Sequence, residues 1–296
     1  MQLLRKSSAV SFKSILFLTD FSDASTRALS YALAFARHFQ AWLYPAHVLD
    51  ETPPSSGAAG AEPSLQALEE RTRQQLLRQV EYNGIHFQPL LSRCEIEAAV
   101  PHWVAEHGID LIIMGTHGRR GMHKFLLGST SEWVLRNALC PVLTVGPHLK
   151  VPRQFNLAID NVCYPADLAG GNSAVSLNYA LSLAQERGAR LLLLHVLPEE
   201  SRNYHDRNRM LRFTLDQLQK LLPAGANERC RPELAVDEGA AAERVLAHAG
   251  SERTDVIVMG LRQRHEDAPA PESGVVYQVI SSAPCPVLAV PEGTGE

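Results

Sequence analysis

Short apolar runs alternate with longer segments of helical spacing along the whole chain. In the first half, residues 15–19 and 111–114 have the length and composition of buried strands. Residues 26–39 instead carry Ala and Leu at intervals of three and four, which is typical of an amphipathic helix, and we expect Asp23 to cap it. Strands that alternate with helices predict a parallel sheet that is covered by helices on both faces.

This pattern occurs twice. Asp110-Leu-Ile-Ile-Met-Gly115 returns 145 positions later as Asp255-Val-Ile-Val-Met-Gly260, and the segment that starts at Cys140 returns with the same offset at Cys285. A duplication of this length predicts two tandem domains, residues 1–148 and 149–296. Each half predicts five strands and four helices in alternation, so the fold class is α/β with two doubly wound parallel five-stranded sheets. In the second half the predicted strands are residues 155–159, 190–196, 233–236, 256–259 and 287–290.

Composition narrows the class of protein. The 296 residues are 45% hydrophobic and 20% charged, as in an ordinary globular protein. The net charge of −4 and the lack of a long basic run argue against a nucleic-acid partner. No window approaches the roughly 18 apolar residues of a membrane span, so no membrane partner is expected. Five cysteines without a C-x-x-C pair indicate reduced thiols, and we expect a cytoplasmic protein.

The candidate binding chemistry begins where a buried strand ends in a glycine pattern. Gly115 and Gly118 are followed after nine residues by Gly128-Ser129, and Thr130 adds a second hydroxyl. Backbone amides can close around an anion where no Cβ intervenes, and the first N–H groups of a helix point towards it. The spacing therefore predicts a phosphate site. The alternative is a flexible loop followed by an ordinary helix cap.

Three further residues fall on the same rim, because ligands of such sheets bind beyond the carboxyl ends of the strands. Arg119, between the glycines, can reach a phosphate through charge-assisted hydrogen bonds. Asp20 follows the first strand, where its carboxylate can bind adenine or ribose or can simply cap the next helix. Val48 ends the second strand and can offer backbone groups to an adenine edge.

These motifs resemble the universal stress protein family, in its ATP-binding and tandem two-domain form. The motifs that carry the resemblance are Leu18-Thr-Asp-Phe-Ser22, His47-Val-Leu49, Met114-Gly-Thr-His-Gly118, Gly128-Ser-Thr130 and Cys140-Pro-Val-Leu-Thr-Val145. The resemblance implies Rossmann-like domains of the adenine nucleotide alpha hydrolase type, paired through their last strands. It also implies ATP as the ligand, with adenosine at Asp20 and Val48 and the phosphates at the glycines, Ser129 and Thr130. Whether Mg²⁺ accompanies the ATP stays open.

The second half departs from this pattern. Gly260 is kept, but Gln263 and Ser273 replace the other two glycines, and the loop between them is acidic and contains prolines. Carboxylates repel a triphosphate, so we expect little or no ATP binding here. Asp160 and Asp167 are both candidates for the carboxylate after the first strand. A structural partner for the first half and a pocket for a less anionic ligand are both compatible with this sequence.

The sequence predicts no catalytic residue and no metal ligand. It lacks a P-loop, and its twelve histidines show no metal-binding spacing. The first hypothesis is a stress-response protein that binds ATP in its first domain and acts as a nucleotide-dependent sensor or adaptor for an unidentified protein partner. A slow ATPase or a phosphoryl or nucleotidyl transferase is the second, and a nucleotide-free interaction scaffold is the third. Homodimerisation of the paired chain is a further open alternative.

Overall fold

The computed structural model describes residues 10–49, 65–80, 84–116, 127–146, 149, 157–168, 174–199, 207–262 and 274–292. We refer to strands β1–β5 with their helices as the first repeat and to strands β6–β10 with theirs as the second repeat. The first repeat contains β1 Ser14–Leu18, α1 Asp23–Phe39, β2 Trp42–Val48, α2 Leu65–Val80, β3 Leu90–Ser92, α3 Ile96–His107, β4 Leu111–Gly115, α4 Ser129–Asn137 and β5 Val142–Val145. The second repeat contains β6 Asn161–Pro165, α5 Ala174–Arg187, β7 Arg190–Leu197, α6 Arg207–Leu221, α7 Ala226–Arg229, β8 Arg231–Glu238, α8 Ala241–Ser251, β9 Val256–Arg262, α9 Val275–Ser282 and β10 Val287–Glu292.

All ten strands form one sheet. Their order is β3-β2-β1-β4-β5-β10-β9-β6-β7-β8, so each repeat contributes five neighbouring strands. The pairing is parallel within each repeat and antiparallel only between β5 and β10. At this junction the Thr144 hydroxyl also donates to the Val287 carbonyl at 3.2 Å. The predicted α/β fold, with two doubly wound sheets joined through their last strands, is confirmed.

Two hydrophobic layers cover the sheet. Along β1, Ile15 and Phe17 face the layer that includes α1, while Leu16 and Leu18 face the layer that includes α3 and α4. This burial on both faces explains why the central strands are continuous apolar runs and do not alternate with polar residues. Among the described helices, none is long and apolar enough to cross a membrane.

The start of α1 corrects one sequence prediction. Asp23 is the first helical residue, and the N-cap is Ser22, whose side chain accepts the Ser25 N–H. The prediction of Asp23 as the cap was therefore wrong by one position. A serine at the N-cap and an aspartate in the first turn both favour this helix end, since the cap satisfies a backbone N–H and the carboxylate complements the helix dipole.

The first strand of the second repeat was also predicted in the wrong place. Residues 155–159 were expected to form it, but β6 starts only at Asn161. Leu157 and Ile159 are buried in the core without belonging to the sheet, so their apolar character was misread as strand pattern. The start of β6 is instead held by the Asp255 carboxylate, which accepts the Asn161 N–H at 2.9 Å.

Candidate functional site

The strand order brings the predicted site residues of the first repeat to one edge of the sheet. β1 lies between β2 and β4, so Asp20, Val48 and Gly115 all lie at the carboxyl ends of neighbouring strands. The start of α4 lies at the same edge, because the Gly128 N–H donates to the carbonyl of Thr116, directly after β4, at 3.0 Å. Predicted site residues Gly118 and Arg119 lie outside the described residues.

A tight turn fixes Asp20. One carboxylate oxygen accepts the Ser22 N–H at 3.0 Å, which is an Asx turn, and Phe21 between them has a φ of 60°. The His47 ring nitrogen Nδ1 lies 2.7 Å from the Thr19 carbonyl oxygen, so Nδ1 must carry the proton and donate. The half-buried Asp20 carboxylate is therefore held at the rim by its bond to the Ser22 N–H, and the preceding residue, Thr19, is bonded to His47 of β2. The bond that the structure describes for Asp20 is thus a local contact with the backbone at the N-cap of α1.

Val48 extends beyond the paired part of β1 and β2. The last register pair between these strands is Leu18 with Ala46, and the Thr19 N–H then donates to the Ala46 carbonyl at 3.0 Å. On its other side Val48 pairs with Ser92 of β3. Val48 is therefore placed where a ligand at the rim can meet the end of β2.

Gly115, at the end of β4, lies in close contact with the start of α1. An ideal Cβ on this residue would lie 3.0 Å from the carbonyl carbon of Ala24 and 3.2 Å from the Ser25 nitrogen. The sequence interpretation attributed this glycine to a ligand. The neighbour that the structure describes is the backbone of α1, which packs directly onto the end of β4. Gly115 therefore lets α1 and the β4 end approach closely, whether or not a ligand is bound.

The start of α4 has the features of an anion site. Its N-cap is Gly128, which has extended backbone angles and no capping side chain, and Ser129 and Thr130 are exposed. The first N–H groups of a helix have no acceptor within the helix, and the dipole favours an anion there by roughly 0.3–1 kcal/mol when the site is exposed. Two hydroxyls and these N–H groups can thus bind a phosphate together.

Sequence reasoning missed Ser131. Its side chain is buried, and its hydroxyl donates to the Gly115 carbonyl at 2.9 Å. This bond ties the first turn of α4 to the end of β4 and so sets the distance between the two parts of the candidate phosphate site. A signal was present, because a helix that begins at Ser129 with three hydroxyl residues can turn only some of them outward.

The second repeat has a different rim. Gly274, Val275 and Val276 stand at the positions of the three hydroxyl residues of α4, so this helix offers no side-chain hydroxyl at its start. Asp167 is the positional equivalent of Asp20, and it forms an ion pair with Arg262 at 2.7 Å. Asp160, the other candidate carboxylate, precedes β6 and so lies at the opposite end of the sheet. The positions Gln263 and Ser273 lie outside the described ranges.

Comparison with known proteins identifies the family. The model of the universal stress protein family matches residues 11–146 and matches again at residues 158–291. The chain belongs to the universal stress protein family. The two matches follow one another along the chain, so this is a tandem member of the family, and each match falls on one of the two repeats.

Two members of the family are each similar to about half of this chain. Universal stress protein MJ0531 of Methanocaldococcus jannaschii is 32% identical over 139 residues, which is 45% of this chain and 82% of that protein. Universal stress protein MJ0577 of the same organism is 30% identical over 156 residues, 46% of this chain and 96% of that protein. A solved universal stress protein from Archaeoglobus fulgidus covers 94% of this chain and 98% of its own, with a TM-score of 0.65. Its 20% sequence identity to this chain supports the shared fold alone.

Proposed function

We propose that this universal stress protein binds ATP in its first repeat and acts as a nucleotide-dependent sensor or adaptor. The observation that supports this most directly is the meeting of Asp20, Val48 and the hydroxyl-rich start of α4 at one rim. The Gly-x2-Gly-x9-Gly-Ser spacing is complete in this repeat only. In this proposal residues 1–148 form the nucleotide-binding domain and residues 149–296 form its partner domain.

The proposed pose follows the chemistry of the rim. The phosphates lie at the start of α4, where Ser129, Thr130 and the first N–H groups of the helix donate hydrogen bonds. The adenosine lies towards β1 and β2, with the Asp20 carboxylate accepting from ribose hydroxyls or the adenine amino group. Because Ser131 joins α4 to β4, the two ends of the loop between residues 116 and 128 are fixed in space before ATP binds. In this proposal the protein partner then binds the surface of this loop.

The second repeat is proposed not to bind ATP. Its helix α9 starts with Val275 and Val276, whose side chains have no hydroxyl to donate to phosphate oxygens. Asp167, the equivalent of Asp20, is ion-paired with Arg262 at 2.7 Å. A stoichiometry of one nucleotide per chain is therefore expected.

The decisive experiment compares valine substitutions at the two N-cap glycines, Gly128→Val at the start of α4 and Gly274→Val at the start of α9. Both glycines are N-caps with extended angles, φ −64° and ψ 148° for Gly128 and φ −71° and ψ 139° for Gly274, so valine fits both backbones. Calorimetric titration of the wild-type chain with Mg-ATP is expected to give one site. Gly128→Val is expected to weaken ATP binding at least tenfold, because its branched side chain enters the phosphate position, whereas Gly274→Val leaves the affinity unchanged.

Thermal unfolding provides an independent measure. At a ligand concentration one hundred times the Kd, binding to the folded state adds about 2.7 kcal/mol to the free energy of unfolding. A wild-type protein whose Tm does not rise with Mg-ATP, or a Gly128→Val variant that binds ATP as tightly as wild type, would refute the proposal. Native mass spectrometry of gently purified protein adds the identity of any nucleotide that copurifies, and a phosphate-release assay on the same sample tests for turnover.

A further inference from the structure

The rim of the second repeat is extended by its own last strands. β9 and β10 continue for two residues beyond the ends that β4 and β5 reach in the first repeat, since β4 stops at Gly115 and β5 at Val145. The added register pairs are Pro291 with Leu261 and Glu292 with Arg262. This extension carries the Glu292 side chain over the rim on the face covered by α5.

The Glu292 carboxylate lies against Gly260. A Cβ on Gly260 would overlap the carboxylate, so a larger residue here would displace the end of the Glu292 side chain from this position. The Ser176 hydroxyl of α5 donates to a Glu292 oxygen at 2.7 Å. The Tyr164 hydroxyl is 3.1 Å from the Ser176 oxygen, and because the serine proton is committed to the carboxylate, the tyrosine donates to the serine. A half-buried carboxylate thus ends a chain of two hydroxyls.

The first repeat has nothing equivalent at these positions. Phe17 and Ala28, both fully buried, occupy the places that Tyr164 and Ser176 hold in the second repeat. The space beside Gly115 is filled by the backbone of α1. The two hydroxyls and the carboxylate are therefore a feature of the second repeat alone, and a duplicated apolar core does not explain them.

Charges of both signs lie near Glu292. Arg262, its register partner on β9, carries a positive charge that is shared with Asp167 at 2.7 Å. Burial raises the pKa of Tyr164, the hydrogen bond with Ser176 lowers it in part, and the negative charges of Glu292 and Asp167 raise it, so the net shift is upward and the phenol stays neutral. A neutral hydroxyl chain that ends on a carboxylate satisfies that carboxylate without a buried cation.

We propose that Gly260 and Ser176 form a carboxylate-binding site in the second repeat and that Glu292 occupies it as an internal ligand, here called the Glu292 latch. The latch joins the end of β10, the last strand of the second repeat, to α5. The inference goes beyond the proposed function, because it concerns the other repeat and holds whether or not the first repeat binds ATP.

A double-mutant cycle tests whether the contact exists. Glu292→Ala removes the carboxylate, and Gly260→Ala pushes it away from Ser176, so each variant is expected to lower the Tm by about 2–4 °C. The double variant is expected to lose no more than either single variant, since both changes break the same contact. Gly250→Ala is the control, because a Cβ there meets nothing within 4 Å. If the Tm losses of the two single variants add up in the double variant, the two residues do not act through one contact and the proposal is wrong.

Chemical rescue tests whether the site recognises a carboxylate. The Tm of Glu292→Ala is expected to rise in sodium acetate relative to sodium chloride at the same ionic strength, while the wild-type Tm responds equally to both salts. If acetate raises the Tm of the variant no more than that of wild type, Glu292 is a shape-filling residue and the proposal is wrong. If Glu292→Ala does not fold, the cycle is run with Ser176→Ala and Gly260→Ala, for which the same loss of additivity is required.

Discussion

Leu143 of β5 and Leu288 of β10 face each other in the antiparallel pair at the centre of the sheet. They occupy the same position of the duplicated sequence, 145 residues apart, and both are fully buried. Equivalent residues can oppose each other in this way only when the two repeats are related by a two-fold axis that passes between them. The junction therefore has the geometry of a symmetric homodimer interface, formed here within one chain.

Side chains on α1 and α5 follow the same symmetry. His38 and Glu186 are equivalent residues, 148 positions apart, and their Nε2 and Oε1 atoms lie 2.8 Å apart across the axis. Tyr31 and Tyr179 are also equivalent, and burial is the largest cause that raises the pKa of each. The smaller causes come from the other repeat: Cys285 and Asp255 for Tyr31, and Asp110 and Cys140 for Tyr179. The contacts of one repeat with the other are thus reciprocal in position, although His38 and Glu186 have diverged in residue type.

The first prediction concerns the stability of this junction. Leu143→Ala removes a fully buried side chain and is expected to lower the free energy of unfolding by about 2–5 kcal/mol, measured by urea denaturation. Leu139→Ala is the control, because Leu139 is 80% exposed and its loss should change stability by no more than about 0.5 kcal/mol. If the two variants are equally stable, β5 and β10 do not pair in solution as they do here.

Much of the fold follows from the sequence, because strand and helix periods alternate and repeat. The failure at residues 155–159 shows the limit of this reasoning: Leu157 and Ile159 are apolar because they fill the core, and periodicity cannot tell such a segment from a strand. The pairing of β5 with β10 has no local signal either. It was expected from the family resemblance, since a strand's composition does not show which neighbour it pairs with.

The candidate site was predictable only as far as strand order determines it. Asp20 and Val48 lie at the same rim because Asp20 follows β1 and Val48 ends β2 in a parallel sheet, which the alternation of elements already implies. By contrast, the bond from Ser131 to the Gly115 carbonyl and the contact of Glu292 with Gly260 depend on how separate elements pack. Contacts of this kind leave no periodic pattern in a single sequence.

The second prediction separates a packing role from a ligand role at Gly115. In Gly115→Ala the new Cβ lies 3.0 Å from the Ala24 carbonyl carbon, and backbone cannot swing away as a flexible side chain can. The free energy of unfolding without nucleotide is expected to fall by about 1–3 kcal/mol. The comparison is Gly250→Ala, in a helix with open space around the new methyl group, which should be neutral or slightly stabilising. An unchanged stability of Gly115→Ala would show that α1 does not pack as closely as described.

The third prediction uses the two equivalent rim carboxylates. Asp20→Ala is expected to weaken ATP binding by roughly tenfold or more, because hydrogen bonds to a charged group contribute about 1.5–3 kcal/mol. Asp167→Ala, the matched change in the second repeat, should leave ATP affinity unchanged. Calorimetric titration measures both.

Asp20 also holds the Ser22 N–H, so a loss of affinity could reflect a disturbed turn. Asp20→Asn keeps an oxygen acceptor for that bond while removing the charge. An affinity that falls in Asp20→Asn without a change in Tm assigns the effect to the ligand, whereas equal losses in the Asp20 and Asp167 variants would contradict the assignment of the nucleotide to the first repeat.

The fourth prediction concerns the thiols. Cys94 is exposed, while Cys140, Cys163, Cys230 and Cys285 are buried. Burial raises the pKa of Cys140, Cys163 and Cys285 to about 12, and the thiolate is the reactive form. Native protein at pH 8 should therefore show one thiol that reacts rapidly with iodoacetamide and four that react only after unfolding, as read by mass spectrometry. Cys94→Ser should abolish the rapid reaction, and fast labelling of any other cysteine would show that its part of the core opens.

The fifth prediction is that the free energy of unfolding falls at alkaline pH because Tyr31 is buried at the junction. Burial, with Cys285 and Asp255 nearby, raises the pKa of Tyr31 from 10.0 to about 12 in the folded chain. The folded state thus keeps a proton that the unfolded chain loses above pH 10, so the contribution of Tyr31 is fully present below pH 10 and is lost as the pH rises through 12. For one fully coupled group the free energy of unfolding falls by roughly 1.4 kcal/mol per pH unit in this window, and the partial exposure of Tyr31 reduces that slope.

Tyr31→Phe removes this titration, so its stability should fall less steeply than that of wild type between pH 10 and 12. The buried thiols titrate in the same window in both proteins, and the difference between the two urea-denaturation series therefore isolates the tyrosine. Parallel curves would mean that the Tyr31 hydroxyl is hydrated in solution, and hence that α1 is not packed against the second repeat as the structure shows.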